Sequence, residues 1–424
     1  MKEQFQSSPW RHRDVRWIVP ARALSVFGDG LLSVVLLLRV YDSGVGPWGV
    51  TGLLVCEGLP LILLIGVAGR VADRHDSRRI LTLALTGQVL GCLVLAGVDD
   101  LAATYALTLL VQTGQAFSGP TWSALVPRVV GDEALGKIVA LQQGLNMALL
   151  PIGAAVGSVL YAGASARPVI LIDAATFALL LGSAFAVRTR RGGTADTALR
   201  DGGVPSAATG LSTLRADRLV WPLLVAALAM VLVAGGTNVL DVFLIRDDLG
   251  MSSGWYGVTE VAFTVGAVAG SVVTGGIGSD RTRVRATVVG FLAIALGVLA
   301  FGLAPSYWLI LLLCLEIGVA LGVMNAAFGT LFTTRTPDAL RGRVSSTVNG
   351  LMQATNVTSL VVFGAVGTTL GVRNTYLVAG ALSVAVVLLA AVRVLRTTPR
   401  SSPLRHVPAA DASGIRRPSG SPRV

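Results

Sequence analysis

Gly69-Arg70-Val71-Ala72-Asp73-Arg74-His75-Asp76-Ser77-Arg78-Arg79 has a partner further along the chain, Gly276-Ile277-Gly278-Ser279-Asp280-Arg281-Thr282-Arg283-Val284-Arg285. In both stretches the glycine stands four positions before the aspartate, an arginine follows at once, and more arginines come after it. Long apolar runs flank each copy. A short basic connection between apolar runs, occurring twice, marks a chain built of two similar halves in a membrane.

Composition agrees. The 424 residues are 53% hydrophobic and only 13% charged, with a mean hydropathy of +0.72, whereas a water-soluble domain carries about 25% charged residues. A net charge of +11 would point to nucleic acid in a soluble protein if the arginines lined one polar face. Here they sit in short loops between apolar runs, so no nucleic-acid partner is expected and the lipid bilayer is the surrounding medium. Cys56, Cys92 and Cys314 all fall within apolar runs without metal-ligand spacing, which excludes a disulfide framework and a zinc site. The polar start leads into a run too long for a signal-peptide core, so the first span is expected to be retained.

A hydrocarbon layer of about 30 Å needs roughly 20 apolar helical residues per crossing. Twelve segments qualify, near 17–40, 49–70, 79–97, 101–122, 138–161, 168–187, 219–243, 255–277, 285–303, 307–332, 344–369 and 375–396. The predicted fold is therefore an all-α membrane protein of twelve transmembrane helices in two pseudo-symmetric six-helix bundles. A short amino-terminal segment (1–16) precedes the first bundle (17–187); a polar linker (188–218) leads to the second (219–396), and a Pro-, Ser- and Arg-rich tail (397–424) follows, expected to be disordered. Basic residues fix the orientation, since cytoplasmic loops carry the excess of them. With both termini cytoplasmic, the inner loops hold clusters such as Arg70, Arg74, Arg78 and Arg79, while the outer loops hold only Arg167, Arg246 and Arg373.

Each residue type in the repeated motif has a physical use. Gly69 is expected to allow close helix approach at the membrane surface, Asp73 to accept from helix amino-terminal N–H groups, and Arg74, Arg78 and Arg79 to pair with acids or lipid phosphates. Gly276, Asp280 and Arg281 repeat the set in the second half. Together they can form a charged latch that holds one conformation, although the arginines alone also satisfy the topology bias.

With these residues in place, the chain resembles the major facilitator superfamily, whose loop between helices two and three has this form. The resemblance covers about residues 10 to 396. More narrowly the chain is similar to the drug and siderophore exporter branch that includes enterobactin and macrolide efflux proteins. That likeness rests on Ser25-Val26-Phe27-Gly28-Asp29-Gly30, on Ala72 to Arg79, on Asp173-Ala174-Ala175-Thr176-Phe177, and on Pro337-Asp338-Ala339-Leu340-Arg341-Gly342-Arg343-Val344. Ser77 departs from the branch, which usually has arginine there, and the glycine-proline signature of span five is imperfect at Leu150-Pro151-Ile152-Gly153-Ala154-Ala155-Val156-Gly157. The resemblance implies a multi-pass protein of the cell (plasma or inner) membrane that works as a monomer by alternating access. It also implies that spans one, four, seven and ten surround a central cavity, and that spans five and eight face each other across the halves. Gly153 and Gly157 in span five and Gly266 and Gly270 in span eight are then candidates for a moving interface, with static packing as the alternative.

An ionisable side chain at mid-membrane costs about 2.5–3.5 kcal/mol on insertion scales and is a functional candidate by default. Asp29 lies halfway along span one. The other candidates for a proton and substrate pathway are Glu57, Gln112, Gln115, Asn238, Asp241, Glu316 and Asn325. For Asp29 the alternative is a buried bond that positions span one, with Arg22 or a span-five or span-seven amide as partner. Asp173 and Asp241, nearer the outer ends of their spans, fit a non-transport role better.

Enzymatic function finds no support. His12, His75 and His406 lie in loops or tails, and no Ser-His-Asp set, Walker-type loop or metal cluster is present; no cofactor is expected. Transport driven by an ion gradient remains: a secondary active exporter of a drug-like, antibiotic or siderophore small molecule with protons as the coupling ion, or else an importer of a small metabolite or a non-transporting membrane sensor. Reporter tags placed at the amino terminus and after residue 396 are expected to read the same side of the membrane; opposite sides would overturn the span count.

Overall fold

The computed structural model describes residues 13–187, 215, 220–274, 279–335 and 338–397. The expected linker and tail fall outside it apart from Arg215 and Thr397, as do Gly276 and the side chain of Asp73. Among the described residues the regular structure is helical throughout, as it must be where hydrocarbon offers backbone groups no partner. Span one is Arg13–Asp42, span two Gly46–Arg74, span three Ser77–Leu95 and span six Ala166–Ala186. In the second half span seven opens with Val220–Ala234, and Ser253–Thr274, Asp280–Leu303, Tyr307–Arg335, Asp338–Leu370 and Val372–Thr397 form spans eight to twelve. The first helix begins inside the expected polar segment, at Arg13, where Asp14 in its first turn complements the helix dipole.

Among the described residues eleven helical stretches are long and apolar enough to cross a membrane by that measure alone. The expected fourth span, 101–122, is not among them, because Thr104, Thr108, Gln112, Thr113 and Gln115 dilute its apolar character. It forms one helix with span five, Leu101–Gly163, so the loop expected at 123–137 is helical. That helix nevertheless crosses twice. Asp29 accepts a 3.1 Å bond from Gln115, while the adjacent Gly30 lies against the Leu150 backbone. A straight helix would hold residues 115 and 150 about 50 Å apart, so the chain doubles back between them and the crossings number twelve.

Span seven departs most from expectation. Its α-helix stops at Ala234 and gives way to a 3₁₀ segment, Gly235–Val239, one turn at Asp241–Phe243 and a π segment, Leu244–Asp248. Irregular backbone at membrane depth is tolerated where it is buried in protein or lines a cavity. Both hold here: Ser359 of span eleven packs its backbone against Gly236, and its hydroxyl donates to the Leu232 carbonyl at 2.7 Å.

The glycine pairs pack within each half. Gly153 and Gly157 press on the span-one backbone at Phe27 and Leu31; Gly266 and Gly270 press on span ten at Leu315 and Val319, and Gly318 and Gly322 return the contact at Phe263 and Ala267. The expectation that these glycines form a moving interface is therefore corrected. Helices in lipid associate by close packing, and these backbone-to-backbone contacts tie span one to five and span eight to ten. Side chains such as Leu83 (77% exposed) and Val273 (78% exposed) face the lipid.

A methyl group on Gly153 would overlap the Phe27 carbonyl. Gly153→Ala is expected to destabilise the protein by about 1–3 kcal/mol, read as a lowered melting temperature in detergent, whereas Gly182→Ala, with open space around it, should leave the melt unchanged.

Candidate functional site

At the end of the bundle away from the repeated motif, the two halves are joined by a polar seam. Arg246, closing span seven, pairs with Asp42 of span one at 2.7 Å and stacks over Tyr41 at 4.7 Å. Tyr41 donates to Asp247, and Tyr161 of span five donates to Asp42 at 2.6 Å. Tyr41 and Phe243 meet edge to face at 5.0 Å. Two of the three outer arginines are engaged at this end: besides Arg246, Arg373 pairs within its own half with Asp248 at 3.0 Å and donates to the Ala304 carbonyl at 2.7 Å. Spans five and eight do face each other, through Ala155 and Ser158 against Gly257, with Ser158 donating to Gly254 at 3.3 Å.

Along the same seams the packing loosens toward the motif end. Spans two and eleven touch where Thr51 meets Gly364 and where Gly58 meets Val357, yet Gly66, Gly69 and Gly350 on these helices have nothing within 4 Å of where a Cβ would stand. Gly144 of span five is equally open. Gly69 therefore makes no close helix contact among the described residues in this conformation.

Between the halves lies a cavity of about 1000 Å³. Asp29, Glu57, Gln112 and Gln115 from the first half and Asn238 and Asn325 from the second line it, together with Asp241, whose place near the outer end of its span had favoured a non-transport role. Glu316 does not: its carboxylate is turned toward Gly297 of span nine, and its Oε2 is buried without a hydrogen-bond partner among the described residues. Glu260 of span eight lines the cavity and was overlooked, although an acid inside an apolar run was legible by the rule that found Asp29. Asn349 and Asn356 of span eleven and Tyr376 of span twelve also contribute; they could not be assigned to the cavity from the family's four lining spans.

The first-half acids sit in a network. Gln88, fully buried, donates to Gln115 at 3.3 Å, and Gln115 donates to Asp29 at 3.1 Å. Arg22, two helical turns before Asp29, exerts its charge on it, and Ser33 donates to Glu57 at 3.1 Å. A side pocket of about 20 Å³, room for one water, is lined by Asp29, Glu57 and Gln88 together. Asp173 stands at the depth of Asp29 but behind span one, fully buried against Gly28 and held by Thr176 at 2.9 Å. In the second half the Tyr376 hydroxyl has two acceptors within reach, the Asp241 carboxylate and, at 3.2 Å, the Thr237 carbonyl, which also accepts from the Leu240 N–H at 2.7 Å.

The two motif copies are not equivalent in detail. Asp73 falls in the last turn of span two, and the amino-terminal cap of span three is Asp76, whose carboxylate accepts from the Arg78 N–H at 2.8 Å. Asp76 thus takes the capping role at span three, and the Asp73 side chain lies outside the described residues. Arg78 donates to the span-six carbonyls of Ala184 and Val187, each at 3.3 Å, and to that of Phe185, satisfying a helix end. Asp280 lies in the first turn of span nine and takes Arg335 at 2.9 Å and Arg283 at 3.3 Å. Arg74, Arg79 and Arg281 are exposed.

A family model described as the Major Facilitator Superfamily matches residues 18–354, and again 237–421. Macrolide efflux protein A of Streptococcus pyogenes is 22% identical over 337 residues, covering 77% of this chain and 83% of that protein. Enterobactin exporter EntS of Escherichia coli O81 (strain ED1a) is 27% identical over 361 residues, 82% of each chain. Among solved structures, a bacterial homologue of the human lysosomal transporter Spinster, in an inward-facing and occupied conformation, superposes with a TM-score of 0.70 at 13% identity, covering 94% of this chain and all of the other.

Breaking the far seam should loosen that end. An exposed ion pair contributes about 0.2–1 kcal/mol, so Arg246→Ala is expected to raise the labelling rate of a cysteine placed at Asn238 by up to about fivefold, in a background lacking the native cysteines and with a thiol reagent supplied from the far side.

Proposed function

The chain belongs to the major facilitator superfamily, and from that premise we propose that it is a secondary active exporter of an amphipathic small molecule, coupled to inward proton movement. The arginine bias makes the motif end cytoplasmic, so the cavity faces the cytoplasm and the far seam closes the outside. One observation carries the reading: a cavity between two rigid halves, packed shut at one end and loose at the other, holds carboxylates from both halves. Transporters built from repeats alternate access by rocking one half against the other around such a site.

Asp29 carries the proton, with Glu57 beside it. Gln115 donates to Asp29, and the cavity gives the carboxyl access to water. Glu57 exposes its carboxylate to the same side pocket, so one proton can be exchanged between them. Glu316, turned away from the cavity, has no part in this route. The motif loops act as gates. When the cytoplasmic side closes, Gly66 and Gly69 receive the helix approach that is unused here, and exposed Arg74, Arg79 and Arg281 gain partners, while Arg78 and Asp280 keep each half rigid through both conformations. Export rather than uptake rests on the two curated relatives, named for efflux and export. A non-transporting sensor would have no use for a cavity with one loose and one sealed end.

Dye-loaded cells are expected to lose export when an uncoupler collapses the proton gradient; unaffected export would remove the coupling. Deleting the gene should raise sensitivity to the cargo, whereas lowered uptake would identify an importer. Asp29→Asn should abolish the pH dependence of transport with the protein still folded, and an unchanged pH profile would clear Asp29.

A further inference from the structure

The central cavity has a sign. Asp29 and Glu57 line its first-half wall, Asp241 and Glu260 its second-half wall, and no lysine, arginine or histidine is among its described lining residues. Arg22 acts on Asp29 from outside that lining. Whether each acid is ionised or protonated, the wall is negative or neutral and never positive. An anionic cargo would lose its hydration there and find no positive side chain among the described wall residues, a desolvation cost that no ion pair offsets.

The two walls are also unlike each other. On the first-half side the acids are engaged: Asp29 by Gln115, Glu57 by Ser33. On the second-half side Asp241 accepts from Tyr376, and its charge acts on Glu260. Glu260 itself makes no hydrogen bond among the described residues while lining the cavity, and a carboxylate at membrane depth needs a partner. Tyr256 and Phe263 stand one helical turn to either side of it on span eight, and Phe301 and Tyr376 line the cavity from the same half. Rings of this kind attract a desolvated cation through their faces.

We propose that the cavity takes an amphipathic cation, whose positive group is seated on Glu260 and Asp241 in the second half while its apolar body lies against the surrounding rings. This rests on the reading of the cavity as the cargo site and narrows the cargo to organic ammonium or phosphonium chemistry, excluding carboxylates, sulfonates and phenolates. It also divides the acids: Asp29 and Glu57 serve the coupling ion in one half, Glu260 and Asp241 the cargo in the other. Cargo and ion then meet the protein on opposite walls of one space.

The test is equilibrium binding to the purified full chain in detergent with two probes of matched shape and opposite charge, tetraphenylphosphonium and tetraphenylborate. Saturable binding of the phosphonium, with the borate at least about tenfold weaker, is expected. Glu260→Gln should weaken the phosphonium about tenfold, and Asp241→Asn should do the same. Asp241→Asn also breaks the bond with Tyr376, so Tyr376→Phe serves as the control, removing that bond and keeping the charge; it should retain the phosphonium preference. Size-exclusion profiles report whether each variant is folded, and Glu260→Asp, which keeps the charge, should restore most of the binding. The proposal is overturned if the borate binds as tightly, if neither probe binds, or if Glu260→Gln and Asp241→Asn leave phosphonium binding unchanged. Equal loss in Tyr376→Phe would overturn the role of charge at Asp241. A micelle holds no proton gradient, so these outcomes are independent of whether export is proton-coupled.

Discussion

Hydrocarbon offers no hydrogen bond, and each choice this chain makes follows from that. A backbone amide at membrane depth must find its partner inside the protein, which leaves the helix as the regular solution. Apolar side chains gain nothing by leaving lipid for another helix, so association falls to close packing and to the few polar groups that cannot face lipid. Gly153, Gly157, Gly266 and Gly270 serve the first need, setting backbone against backbone. Gln88, Gln115 and Asp29 serve the second, each bonded to the next across spans three, four and one.

The distribution of these contacts decides what can move. Glycine-mediated backbone contacts, which have no slack, tie span five to span one and span eight to span ten, inside each half. Between the halves the contacts are of another kind: ion pairs, tyrosine hydroxyls and small residues such as Ala155 against Gly257 at the far end. Partly exposed ion pairs are individually worth little, so the far seam is held by bonds that can be exchanged at low cost. Stiff halves and an exchangeable seam are the mechanical requirements of a rocking motion about a central site.

Much of this was legible in the sequence, because membrane constraints write themselves in long runs. Hydropathy and arginine placement gave twelve crossings, and seven of the eight pathway residues fell on one cavity because polar groups in apolar runs have few places to go. Span four shows the limit: Thr104, Thr108, Gln112 and Gln115, the residues that make it useful to the cavity, lower its apolar character, and its helix continues into span five where the sequence read a loop. Glu316 shows another, since its position on span ten did not fix which face it occupies. Glycine partners were illegible for a similar reason: spacing of four says that a close approach exists, and only the fold says to which helix. Asp73 and Asp76 are three residues apart, and which of them caps span three depended on where span two ends.

The break in span seven connects packing with chemistry. Ser359 of span eleven crowds the backbone at Gly236, and the Leu232 carbonyl takes the Ser359 hydroxyl as donor. Beyond the break, the Thr237 carbonyl and the Asp241 carboxylate are both within reach of the Tyr376 hydroxyl. Gly235, Thr237, Asn238 and Asp241 line the cavity from this single span. Five and six residues after Asp241 the same segment carries Arg246 and Asp247, which hold the far seam to Asp42 and Tyr41. A change of charge or hydrogen bonding at Asp241 therefore sits on the element that also carries the seam, and the irregular backbone between them is the shortest covalent route by which occupancy of the cavity can bear on closure of its outer end.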